Sequence, residues 1–231
     1  MKRSILILIL ILTIFPLTAA GRTEVQGTQG LMIAVSIIPQ EYVVHRIAGS
    51  LVQTVVLVGP GQSPHSYEPT PRQMANLSQA DAWITSNTEF EIALKPKVTA
   101  MNPNLRIVDG TANVRFRSLE EHHHDDELHH DDDDHHDDDD HHDHDHAHDG
   151  SIDRHTWLGR EPMKLMASHI ADTLIELDAQ HASVYRENLD QFHREIDELF
   201  AELVQNLTPL AGSTIFVYHP SFGYLLDEFS I

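Results

Sequence analysis

The sequence contains no cysteine. This excludes disulfides, a thiolate metal site and lipidation at a mature N-terminal cysteine, so any zinc must be held by histidine and carboxylate. Positive charge is scarce: 15 Lys and Arg stand against 36 Asp and Glu, giving a formal net charge of −21. Nucleic-acid binders carry the opposite balance, a basic footprint, so no nucleic-acid partner is expected. Long hydrophobic runs are also missing beyond the first 20 residues, which excludes a membrane transporter. The N-terminal run itself has the three parts of a secretory signal. Met1, Lys2 and Arg3 supply positive charge, Ile5 to Leu12 an unbroken apolar core reaching about Leu17, and Thr18-Ala19-Ala20 small residues for cleavage. Residues 1–20 are therefore read as a signal peptide, and the protein as exported into a bacterial periplasm.

What the chain has in excess is histidine beside aspartate. Glu120 to Asp149 holds twelve of the 19 histidines and 16 of the 36 acidic residues. Without the run's 16 acids the charge moves from −21 to −5, so the remainder is only mildly acidic. Apart from Leu128 and Ala147 nothing in the run suits a core, and residues 118–150 are expected to be a disordered metal-binding loop. A solvated acidic tail accounts for the aspartates but not for their repeated pairing with imidazole. Its histidines, His122, His123, His124, His129, His130, His135, His136, His141, His142, His144, His146 and His148, are expected to make auxiliary weak sites for Zn²⁺.

Around this run the pattern is α/β. Leu31–Ile38, Leu51–Val58, Ala82–Thr85 and Arg106–Val108 read as strands, and Glu41–Ala48, Pro71–Gln79 and Glu89–Met101 as helices, the last interrupted near Pro96. Their alternation predicts a parallel sheet covered by helices on both faces. After the run come a helix from Pro162 to about Asp178 and a longer one from Ala182 to Asn206. On the latter Tyr185, Leu189, Phe192, Ile196, Leu199, Leu203 and Leu207 form one apolar face. Thr214–Tyr218 is predicted as a further strand and Ser221 as the start of a short helix. A single strand makes no sheet, so a second lobe appears only begun.

Seven histidines lie outside the run. His45, His169, His181 and His193 fall on predicted helices or their ends and are read as helix-face residues. His65, in the loop after the strand ending at Val58, and His219, directly after Thr214–Tyr218, are placed differently. Ligands of parallel α/β sheets collect outside the carboxyl ends of strands. His155 precedes a helix in Ser151-Ile152-Asp153-Arg154-His155-Thr156-Trp157. Separations of 90 and 64 residues are unlike the short paired spacing of a zinc finger, and spacing alone leaves convergence of the three open.

Three segments carry a resemblance. His65-Ser66-Tyr67-Glu68-Pro69-Thr70-Pro71 resembles the His-x-Tyr-Glu-Pro segment of the zinc and manganese solute-binding proteins of ABC importers, the ZnuA-like group. Asp153-Arg154-His155-Thr156-Trp157-Leu158 resembles that group's Asp-Pro-His-x-Trp-Leu, and His219-Pro220-Ser221-Phe222-Gly223-Tyr224 its His-x-x-Phe/Tyr-Gly-Tyr. The order is the family's, over about Leu31 to Ile231. The resemblance implies two α/β lobes joined by one long rigid helix, with metal in the cleft between them and His65, His155 and His219 on ligand positions. The boundaries it suggests are 31–117 and 151–181 for the N-terminal lobe, 182–207 for the linking helix and 213–231 for the start of an incomplete second lobe. Ser63, Arg154 and Gly159-Arg160 depart from the family's usual Asp, Pro and Asp-Pro. The family's carboxylate fourth ligand has no counterpart, so the chain resembles a truncated member; Asp227 is in the right region but unsupported in that role.

The function implied is capture of periplasmic Zn²⁺ by a monomer that passes it to an inner-membrane ABC permease, with no chemistry on the ion. Thirty residues of flexible chain span roughly 30 Å, against a radius of gyration near 16 Å for a fold of about 200 residues, so the run could reach the cleft. Two other readings stand beside this one. In one, the protein is a zinc buffer acting through the run alone. In the other it is a zinc hydrolase, for which Glu68 is the only nearby general base.

Overall fold

A computed structural model describes residues 30–119 and 152–231. The signal-like segment and the His/Asp run lie outside the described residues. Strands β1 (Leu31–Ile37), β2 (Val52–Val58), β3 (Ala82–Thr85) and β4 (Arg106–Asp109) form one sheet in the order β2-β1-β3-β4, every pair parallel. The central strands β1 and β3 are apolar runs buried on both faces, as central parallel strands must be, whereas the edge strands β2 and β4 are partly exposed. On one face Ile33, Val35 and Ile84 pack against α1 (Ile38–Ala48), α4 (Arg160–Leu177) and α5 (Ala182–Leu207), through Val43, Val44, Ile47, Ile170, Leu174, Tyr185 and Phe192. On the other, Ala34 and Trp83 meet α2 (Pro71–Leu77) and α3 (Glu89–Met101), through Met74, Leu77, Phe90, Leu94 and Val98. The fold is thus α/β, a parallel sheet flanked by helices and served by one long helix.

The carboxyl ends of the strands are stitched by a buried polar network that fixes the ground under the site. Trp83 Nε1 donates to Ser36 Oγ at 3.0 Å, and Gln40 Nε2 to Ser86 Oγ at 2.7 Å. The Glu91 carboxylate accepts from the backbone N–H of Ser86 and of Thr88, anchoring the first turn of α3.

Two short strands, β5 (Arg117–Ser118) and β6 (Ile152–Asp153), pair antiparallel, Arg117 opposite Asp153 and Ser118 opposite Ile152. They bring together the two ends of the segment outside the described residues. Helix α5, with 26 residues about 39 Å long, starts on the sheet layer and leaves it. Tyr185 and Phe192 are buried in the core, whereas Phe200 stacks on Phe229 of the C-terminal segment, ring centroids 6.3 Å apart.

Four sequence expectations need correction. Thr214–Tyr218 is not a strand. Among the described residues nothing lies alongside to complete its hydrogen-bond ladder, and every residue from Thr208 to Pro220 is exposed. The long helix turns Phe200 inward rather than Leu199, because its contact passes from the sheet layer to the C-terminal segment and the apolar face drifts with it. Helix α3 continues through Pro96 without interruption; that proline is on the exposed side, beside exposed Ile92, whose freed carbonyl can meet water. Helix α1 begins at Ile38 rather than Glu41, so Pro39 sits in its first turn, where its missing N–H costs no hydrogen bond. The remaining helix, α6, runs from Gly223 to Asp227.

Candidate metal centre

His65, His155 and His219 come from three different elements, and their ring nitrogens lie within 4.8 Å of one another. His65 is in the 3-10 turn Pro64–Ser66, beyond the carboxyl end of β2, with its N–H capped by Ser63 Oγ. Two residues on, Tyr67 pins that loop by packing edge-on against Phe90, centroids 4.9 Å apart, and burial pushes its hydroxyl up to about 12. His155 follows β6 and is buried. His219 lies on the irregular segment before α6. With Trp157 and Ser221 the three imidazoles line an open cleft of about 410 Å³.

The hydrogen bonds assign the protons. Asp153 Oδ1 accepts from the His155 backbone N–H at 2.9 Å and from its Nδ1 at 2.8 Å. With the Nδ1 proton committed to a carboxylate, the His155 Nε2 lone pair faces the cleft, the tautomer a metal ligand needs. His219 Nε2 stands 2.9 Å from it and, without an ion, donates to it. His65 Nδ1 approaches Glu89 Oε2 at 3.3 Å, which leaves its Nε2 for the cleft. Zn–N bonds of 2.0–2.1 Å in a tetrahedron separate the nitrogens by roughly 3.3 Å, so an ion asks His155 and His219 to part by a few tenths of an ångström and the wider spacings of the cluster, up to 4.8 Å, to close.

The electrostatics favour a cation. Burial alone would raise the Asp153 carboxyl, but the hydrogen bonds from His155 and Arg117 outweigh it and hold the group below the usual carboxylate range. Glu89 is likewise lowered: desolvation is outweighed by its own backbone N–H and by His65 and Arg154. Burial, then the neighbouring imidazoles of His155 and His65, hold the His219 imidazole below its ordinary value against the pull of Asp153. His219 therefore offers its lone pair at neutral pH.

Around the cluster stand residues that motif reading did not assign. Arg154, where the family usually has Pro, donates from Nε to Glu89 Oε1 at 3.1 Å and from Nη1 to the carbonyl of Asn87. Asn87 holds a left-handed conformation, φ 56°, at the end of β3. Neither Glu89 nor Asn87 carries a local sequence signal beyond a place at a helix start; only Asp153 could have been found, as the carboxylate two residues before His155. Glu68 is exposed and outside the three-histidine group, and Asp227 is paired with Arg117 instead of facing it. His45, His169, His181 and His193 are elsewhere, beside Thr54, the Ala112 carbonyl, Asp178 and the Lys164 carbonyl. The twelve histidines from His122 to His148 lie outside the described residues.

Residues 33–231 match the family model of ZnuA, the periplasmic component A of the zinc-uptake complex. The chain belongs to the ZnuA family. Its homologues are solute-binding proteins. Among individual relatives, the high-affinity zinc uptake system protein ZnuA of Paracoccus denitrificans is 36% identical over 197 residues, covering 81% of this chain and 60% of that protein. ZnuA of Yersinia pestis is 28% identical over 200 residues, 86% of this chain and 63% of that protein. This chain thus spans less than two thirds of the length of both. A crystal structure of a ZnuA 138–173 deletion mutant with zinc bound is similar at TM-score 0.71 and 31% identity, over 87% of this chain and 68% of that one.

Proposed function

We propose that the protein is a periplasmic zinc-binding protein that takes up Zn²⁺ on His65, His155 and His219 and hands it to an inner-membrane ABC permease as a monomer. The observation that carries this reading is the convergence of three imidazoles whose ring nitrogens lie within 4.8 Å, with His155 oriented by a buried carboxylate. The remaining coordination position is open to water or a carboxylate, and an open position suits release as well as capture. Glu68, the base a hydrolase would need, stands outside the group, so the geometry favours binding over turnover. The Glu120–Asp149 run, rich in imidazole and carboxylate, supplies many weak sites that raise the local zinc concentration.

Isothermal titration separates the two classes of site. Zinc should titrate into one tight site and several weak ones. His65→Ala with His155→Ala should remove the tight phase, while deleting residues 120–149 should remove the weak equivalents and leave the tight phase in place. Loss of the tight phase on deletion alone would reverse the assignment in favour of a buffer acting through the run.

A further inference from the structure

We infer that Arg117 is a positioning residue that fastens the His219-bearing segment to the carboxylate behind His155. Arg117 does not face the cleft. From β5 its Nη1 donates to Asp153 Oδ2 at 3.0 Å, while Nε and Nη2 donate to the two carboxylate oxygens of Asp227 on α6, Nη2 to Oδ1 at 3.0 Å. Asp153 is fully buried and its other oxygen holds His155, so a continuous path of charged hydrogen bonds runs from α6 through Arg117 and Asp153 to His155. A second path runs beside it. The Arg117 backbone N–H donates to the Tyr224 hydroxyl at 3.0 Å, and that hydroxyl donates to the Asp153 carbonyl at 2.9 Å.

Gly223 shows how closely these parts are fitted. A Cβ there would lie 1.6 Å from Arg117 Nη1 and 2.8 Å from Asp153 Oδ2, so any side chain at 223 displaces the guanidinium from its two carboxylates. His219 is four residues away on a segment exposed throughout. The segment's other anchors, Phe229 on Phe200 and Glu228 on Arg160 at 3.1 Å, attach it to α5 and to the start of α4, further from the imidazoles. Among the described residues, and besides the His219–His155 contact itself, Arg117 and Tyr224 tie the segment to the residues behind the histidine cluster. A guanidinium does this better than an ammonium, because its planar fork bridges two carboxylates in fixed directions.

The inference rests on the reading of the three histidines as the zinc site, and the test separates the two. On the full-length protein, the tight zinc dissociation constant is measured by competition with a chromophoric chelator, the release rate by stopped-flow chelation and folding by thermal melting. Partners behind metal-binding histidines are worth 10–100-fold in affinity. Arg117→Met and Gly223→Ala should each weaken tight binding within that range, mainly by faster release, and Asp227→Asn, which spares Asp153 and His155, by about ten-fold. Arg117→Lys should recover part of the loss, which a merely space-filling role would not require. Should Arg117→Met fail to fold, Gly223→Ala and Asp227→Asn still decide. Wild-type affinity and release in both would overturn the positioning role, and if His65→Ala abolishes the tight phase in the same assay the zinc site stands without it. A tight phase that survives His65→Ala overturns the site and the inference together.

Discussion

His155 and His219 face each other across 2.9 Å and are held in opposite ways. His155 is buried, follows a paired strand, abuts Trp157 at 5.2 Å between ring centroids and has its Nδ1 fixed by a buried carboxylate. His219 sits on an exposed, irregular stretch and depends on α6, four residues downstream, for its position. One half of the cleft is thus preorganised, and the other is brought to it. On the proposed function, preorganisation lowers the ordering cost of capture at His155, while the exposed His219 gives an ion a way out. His65 is intermediate: its loop is pinned by Tyr67, but its orienting carboxylate, Glu89, is half exposed.

Breaking the firm half should have the largest effect. Asp153→Asn removes the charge that fixes the His155 tautomer and leaves Arg117 with Asp227 alone. Zinc affinity should fall 10–100-fold by chelator competition. Urea unfolding of the metal-free protein should show a loss of about 3 kcal/mol or less, the low end for one partner of a buried pair, since Arg117 is part-exposed. An unchanged zinc constant would mean that His155 needs no orienting partner.

Acidification should act next, through all three imidazoles. Protons and zinc compete for the same lone pairs, so capture weakens as pH falls, about ten-fold per unit for each proton displaced. The sign for His219 follows from its lowered value, which keeps it neutral to lower pH than an unperturbed imidazole and delays its share of the loss. Zinc titrations between pH 5 and 8, with histidine ring shifts followed by NMR, check this; an affinity flat across that window would contradict imidazole ligation.

The smallest effect is expected at His65. Glu89→Gln keeps the shape but removes the charge facing His65 and Arg154, and because both carboxylate and ring are about half exposed the loss should be only a few-fold in affinity. A loss as large as that of Asp153→Asn would place Glu89 on a par with the buried carboxylate.

How much of this was legible in the sequence depended on the range over which each feature is determined. The sheet and its helices were readable because buried parallel strands are written as local apolar runs. Thr214–Tyr218 is equally apolar, yet a strand is a property of two segments, and among the described residues the second is missing. His219 was first singled out as lying at a strand's end, a rationale that does not survive; what found it independently was the family motif around it. Phe200 replaced Leu199 because a helix that changes partners along its length has no single face. Glu89 and Arg117 could not be found by pattern, since their roles exist only where β5, β6, α3 and α6 meet; Tyr224 stands in the family motif, which gives no hint of its contacts with Arg117 and Asp153.

The pairing of Ser118 with Ile152 makes the base of the histidine-rich insertion a fixed doorway whose width is set by β5 and β6 alone. The entropy of closing a loop on such a base grows with the logarithm of its length, about 0.6 kcal/mol per doubling. Evolution can therefore lengthen, shorten or rewrite what lies beyond the doorway at little cost to the fold. On the proposed function, the number of weak sites in the run and the tightness of the cleft are then free to change independently.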